Sequence, residues 1–107
     1  MQFFTLDELP GTSMAPGIVR RSVAMDHAMV TFFTFAPGTV LPLHDHIHEQ
    51  ITYVIRGAME FTLNDEVRVL RAGDGVCSPP GVRHGAVVLD EETFALDAWY
   101  PRREEYV

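Results

Sequence analysis

The sequence predicts an all-β fold, a single domain built as a barrel or sandwich of short antiparallel strands. Three observations predict it. Runs rich in β-branched and aromatic residues occupy 30–36, 51–56, 59–63, 67–70, 86–89 and 94–100. Turn signals separate them, and from Gly57 onward these recur about every eight to ten residues. Within the runs, Met59, Phe61 and Leu63 alternate with Glu60 and Thr62, and Val67 and Val69 flank Arg68, the period of a strand with one buried and one wet face. A chain of 107 residues is the size of one domain and too short for two.

Taken in order, the chain divides into an N-terminal arm over about 1–16, a barrel over about 17–100 and a tail over 101–107. In the arm, Phe3, Phe4 and Leu6 are expected to add an edge strand to a partner subunit, so a homodimer is expected of a small barrel with open edges. Met25 and Met29 flank Asp26-His27 and read as core filling around a turn, with His27 on the surface. The turns that follow are Pro37-Gly38, Arg56-Gly57, Asn64-Asp65, Ala72-Gly73-Asp74-Gly75, Pro79-Pro80-Gly81 and Asp90-Glu91-Glu92. Cys77 falls in a short strand before the Pro corner and reads as a small buried hydrophobe. One segment has two readings. Leu43, Ile47, Ile51 and Ile55 recur every four residues, so a helix over 44–56 competes with a strand. On the helical reading His44 and His48 lie one turn apart, with Asp45 where a zinc-protease helix carries Glu. The run Ile51-Thr52-Tyr53-Val54-Ile55 favours strand, and no other segment offers a helical partner.

Charge narrows the function classes. Eight basic residues, all Arg, face fifteen acidic ones for a net charge of −7, which argues against a nucleic-acid stripe and against docking on anionic lipid. A small anionic ligand stays open if two or three arginines converge. No apolar stretch approaches the ~18 residues of a membrane span. One cysteine allows no intramolecular disulfide framework. The N-terminus lacks the basic start of a signal peptide, so a cytoplasmic protein is expected.

The chemistry lies in the histidines. His44 and His46 project from the same face of an extended segment, about 7 Å apart. A neighbouring strand could deliver His84, which follows the Pro79-Pro80-Gly81 corner, to the same point. Imidazole nitrogen suits Zn, Fe, Ni, Cu or Mn. The punctuation around them adds a pattern: Gly38-x5-His44-x-His46-x3-Gln50-x6-Gly57, then Gly73-x5-Pro79-x-Gly81-x2-His84. These blocks resemble the two motifs of the cupin superfamily. The resemblance implies a cupin-type double-stranded β-helix, a jelly-roll barrel. It also implies one divalent transition metal (Ni, Fe, Mn or Zn) held by His44, His46, Gln50 and His84. Two positions depart from the pattern, Gln50 at the family's Glu and Val88 at its Asn. Gln50 offers a neutral carbonyl oxygen, which leaves the ion its full charge as a Lewis acid. Glu49 is the competing fourth ligand, although the six-residue gap to Gly57 favours Gln50. His48 has the right parity but no place in the motif, and reads as a rim residue.

Asp97 and Trp99 share one face of the last strand, and Arg102 and Arg103 follow beyond Pro101, within reach of a barrel mouth. An inward Asp needs a partner or a task. This tail resembles that of the small cupins of pectin and alginate breakdown, which open the ring of 4,5-unsaturated uronates to a linear keto form. The resemblance implies a small sugar-acid substrate, Asp97 and Arg103 as catalytic groups, and Trp99 and Arg103 as substrate contacts. Trp99 stands where that family has Phe. Two other functions fit the same motifs: an Fe- or Ni-dependent dioxygenase, and a metal- or ligand-binding cupin without catalysis.

Overall fold

The computed structural model describes residues 2–107. Among them, ten strands form two antiparallel sheets: β1 (Thr12–Ala15), β2 (Ile18–Ala24), β3 (Met29–Phe35), β4 (Val40–His44), β5 (Glu49–Arg56), β6 (Ala58–Leu63), β7 (Glu66–Arg71), β8 (Gly75–Ser78), β9 (His84–Val88) and β10 (Thr93–Tyr100). The six-stranded sheet runs β1-β2-β3-β10-β5-β8, and the four-stranded sheet runs β4-β9-β6-β7. Short 3-10 turns cover Leu6–Glu8 and Glu104–Tyr106. No described helix is long and apolar enough to cross a membrane.

Alternation is the physical basis of both layers. β3 and β10 bury every second side chain along their whole length, and β5 does so from Gln50 to Val54. The inward residues Phe33, Phe35, Val54, Met59, Phe61, Leu70, Ala86, Val88 and Ala95 form one core between the sheets. Each large apolar side chain removed from water there stabilises the fold by about 1.5–3 kcal/mol. Gly57, with φ of 92°, joins β5 to β6 against the start of β10. A Cβ there would come within 2.7 Å of the Glu92 carbonyl oxygen and the Thr93 Cα, so the turn requires glycine.

Of the two readings of the segment before Gly57, the favoured one holds: Glu49–Arg56 is strand, and Gln50, Thr52 and Val54 all enter the interior at a spacing of two. Several other expectations are corrected. In β7 the buried residue is Leu70, while Val67 and Val69 are exposed. Here the outward side carries the valines and Arg68 shares Leu70's side, so alternation located the strand and misassigned its face. Cys77 is exposed, since Val76 and Ser78 take the inward positions of β8. Met29 is core but Met25 is 73% exposed at the turn. Within the single chain Phe3, Phe4 and Leu6 pair with no strand; Leu6 starts a 3-10 turn and Phe3 is exposed, and a pairing with a partner subunit is a separate matter. The segment that does add a strand near the N-terminus is β1, paired with β2. Neither stands out as an apolar run, because β2 carries Arg20, Arg21 and Ser22.

Strand register brings the chemistry to one end of the barrel. His44 faces His84 across β4 and β9, Gln50 faces Ser78 across β5 and β8, and Trp99 faces Gln50 across β10 and β5. One step further in, Asp97 faces Thr52.

Candidate metal centre

His44, His46 and His84 converge, with one ring nitrogen from each lying within 4.8 Å of the other two. Each ring presents Nδ1 to a backbone carbonyl: His44 to Pro42 at 2.8 Å, His84 to Val82 at 2.9 Å and His46 to His48 at 3.2 Å. Those carbonyls hold the ring proton at Nδ1 and leave each Nε2 lone pair for a ligand bond, the usual outer-shell arrangement of metal-binding imidazoles. Nε2 of His84 is buried and has no hydrogen-bond partner. The Gln50 Oε1 oxygen sits 3.0 Å from Nε2 of His46, so an amide oxygen faces the same space. Burial lowers the pKa of His46 and of His84 below 6.5, which keeps both rings neutral near pH 7. Three imidazole nitrogens and one carbonyl oxygen, pre-aimed with an orphaned lone pair among them, fit a divalent transition ion. Glu49 is exposed on the opposite face of β5, so Gln50 is the residue that reaches the cluster.

A hydrogen-bonded chain leads inward from this point. Gln50 Nε2 donates to Thr52 Oγ1 at 3.0 Å, and the Thr52 hydroxyl donates to Asp97 Oδ1 at 2.6 Å. Asp97 is buried, and loss of water raises its pKa from 3.8 to about 6; the Thr52 hydroxyl, the Gln50 amide beyond it and the charge of Arg103 oppose the shift. Asp97 is thus an inward carboxylate whose proton affinity lies close to neutrality, as acid–base chemistry needs.

Aromatic and cationic groups close the end. The Trp99 indole is buried, its Nε1–H donates to Thr31 Oγ1 at 2.9 Å, and its ring centroid lies 5.3 Å from that of His46. The Arg103 guanidinium lies 5.0 Å from the centre of the Trp99 ring and 4.4 Å from that of Tyr106, and its Nε donates to Glu105 at 2.5 Å. Arg20 approaches Tyr106 to 4.5 Å, so the Tyr106 ring lies against two guanidinium groups. Arg102 turns away, to Glu104 and the Met25 carbonyl. His48 stands beside His46 and Trp99, outside the converging trio.

Asp97, Trp99 and Arg103 therefore gather around the histidine cluster with Gln50. Thr52, Ser78 and Tyr106 were not singled out from sequence. Thr52 could have been, since it lies two residues from Gln50 in a strand and must share its face. Ser78 is buried opposite Gln50 with an unpartnered hydroxyl, but its place depended on a strand pairing that spacing alone does not reveal. Tyr106 is the terminal aromatic of the tail pattern that carries the family resemblance, but no sequence signal gave it a contact at the site.

Two antiparallel sheets with imidazoles converging at one end define a cupin. The cupin domain family matches residues 31–99, and the chain belongs to that family. At 32% identity over 108 aligned positions, it is similar to the pectin degradation protein KdgF of Dickeya dadantii (strain 3937), covering 99% of this chain and 98% of that protein. Among solved structures it is similar to KdgF from a Halomonas species, with 36% identity, a TM-score of 0.94 and coverage of 100% of this chain and 99% of that one. An RmlC-like cupin from Shewanella frigidimarina NCIMB 400 superposes with a TM-score of 0.95 at 28% identity, over 100% of this chain and 96% of that one.

Proposed function

We propose that this chain is a metal-dependent enzyme of pectin breakdown that opens the ring of a 4,5-unsaturated uronate to its linear keto form. The observation that carries the reading is the buried Asp97 carboxylate linked through Thr52 to Gln50 beside three converging imidazoles. The full-length likeness to two KdgF proteins supports the substrate class.

The reaction is an isomerisation that balances without water or oxidant. The hemiacetal hydroxyl at C1 loses its proton and the bond from C1 to the ring oxygen breaks. An aldehyde forms at C1 and an enol at C5. The enol proton is then lost and C4 gains one, which leaves a ketone at C5. Asp97 is the group that accepts and returns protons, since burial has brought its pKa near neutrality. Arg103, held against Trp99 and Tyr106, pairs with the sugar carboxylate. Trp99 walls the sugar ring on the side of His46. A divalent ion held by His44, His46, His84 and Gln50 Oε1 would polarise the substrate carboxylate and an adjacent oxygen.

The test is incubation of metal-loaded protein with freshly lyase-digested polygalacturonate under argon, following loss of the conjugated double bond. The expected result is a rate well above buffer that does not depend on oxygen. A rate equal to buffer overturns the proposal, and a reaction that stops without oxygen favours the dioxygenase instead.

We also infer a cytoplasmic homodimer formed through the outer face of the six-stranded sheet. There Ile51, Tyr53, Ile55 and Tyr100 are exposed beside a groove of about 350 Å³ lined by Cys77 and Ala98. Its outward wall, with Ile51, Cys77 and Tyr100, continues that apolar face and suits a second copy.

A further inference from the structure

Thr52 lies on the inner face of β5 and is 4% exposed. Its hydroxyl has one proton to give. Asp97 Oδ1, at 2.6 Å, receives it. With that proton committed, Oγ1 can only accept from the carboxamide of Gln50, and the end of a carboxamide that donates is Nε2, found 3.0 Å away. The two ends of a carboxamide are almost equal in shape, so its orientation is decided by such partners. Here the decision turns Oε1 toward His46, at 3.0 Å.

We propose that Thr52 is a positioning residue: by donating to Asp97 and accepting from Gln50, it sets which end of the Gln50 carboxamide faces the imidazole cluster. The inference rests on Gln50 being the fourth ligand and deepens that reading. A neutral amide needs such a device where a carboxylate would not, because a carboxylate offers oxygen at either end. The acceptor that starts the chain is the same Asp97 to which proton transfer is assigned, so one side chain serves both the ligand set and the reaction.

The test uses metal-stripped full-length protein titrated with Co²⁺ alone, reading affinity by chelator competition and ligand set by the visible d–d spectrum. Thr52→Val is expected to weaken Co²⁺ binding about tenfold, as loss of an outer-shell partner does, and to move the spectrum toward that of Gln50→Ala. Thr52→Ser, which keeps the hydroxyl, is expected to retain the parent spectrum and an affinity within about threefold. In a Gln50→Ala background Thr52→Val should add nothing, because it acts through Gln50. Thr52→Ala carries the same comparison should Thr52→Val not fold. Parent affinity and spectrum in Thr52→Val or Thr52→Ala overturn the proposal, as does a loss that persists in full without Gln50. If Gln50→Ala itself leaves Co²⁺ affinity and spectrum unchanged, the ligand role of Gln50 fails first and the role of Thr52 fails with it.

Discussion

Asp97 combines two properties that oppose each other, burial and a carboxylate charge. Its pKa rises from 3.8 in the unfolded chain to about 6 in the fold. A raised pKa favours folding fully below the unfolded value, and the benefit is lost as pH climbs through the folded one. At about 1.4 kcal/mol per unit, the ionised side chain costs the metal-free protein up to about 3 kcal/mol above pH 6. Asp97→Asn should therefore raise the melting temperature of metal-free protein at pH 8 and leave it nearly unchanged at pH 4; calorimetry at the two values checks this. The same substitution should lower uronate turnover by about 10²- to 10⁴-fold. Divalent binding should fall far less than turnover, because the three imidazoles are left in place. That Asp97 and Trp99 share one side of β10 was legible from parity; that this side points inward was not. The pairing of Asp97 with Thr52, 45 residues away, was not, because it depends on the register of β10 on β5.

At the level of elements, the motif glycines and the Pro corner were readable because each answers a local demand of the backbone. Gly57 shows the point: its φ of 92° and the approach of Glu92 and Thr93 leave no room for a side chain. Gly57→Ala is expected to lower unfolding free energy by about 2–4 kcal/mol, measured by urea titration. Less readable were elements whose sequence mixes charge with apolar residues. β2 was hidden by Arg20 and Arg21, since an Arg that lays its guanidinium on a tyrosine ring gives no hydrophobic period. β7 was found but turned over, since Val67 and Val69 sit on the wet face. Trp99 ties β10 to β3 through the Thr31 hydroxyl. Trp99→Phe removes that bond and part of the ring, at an expected stability loss of about 1–3 kcal/mol by thermal or urea melts.

For the whole molecule, the six-stranded sheet leaves Ile51, Tyr53, Ile55 and Tyr100 facing outward. Sedimentation velocity should find a dimer, and Ile51→Glu should yield monomer with a normal far-UV spectrum; a monomeric parent overturns the inferred assembly. Composition and turn spacing made the all-β class legible, and the motif pair extended this to the jelly roll. Which outer face carries the exposed apolar residues depended on which strand became the sheet's neighbour. The three Nδ1–carbonyl contacts at Pro42, Val82 and His48 have one more consequence. Peptide oxygens hold each ring from its Nδ1 side, so the backbone itself orients the cluster, and a divalent ion held there would not be needed to keep the barrel closed. Chelation should leave the far-UV circular dichroism of strand intact. The melting point should recover on adding ions back, and one preparation should accept a succession of different cations.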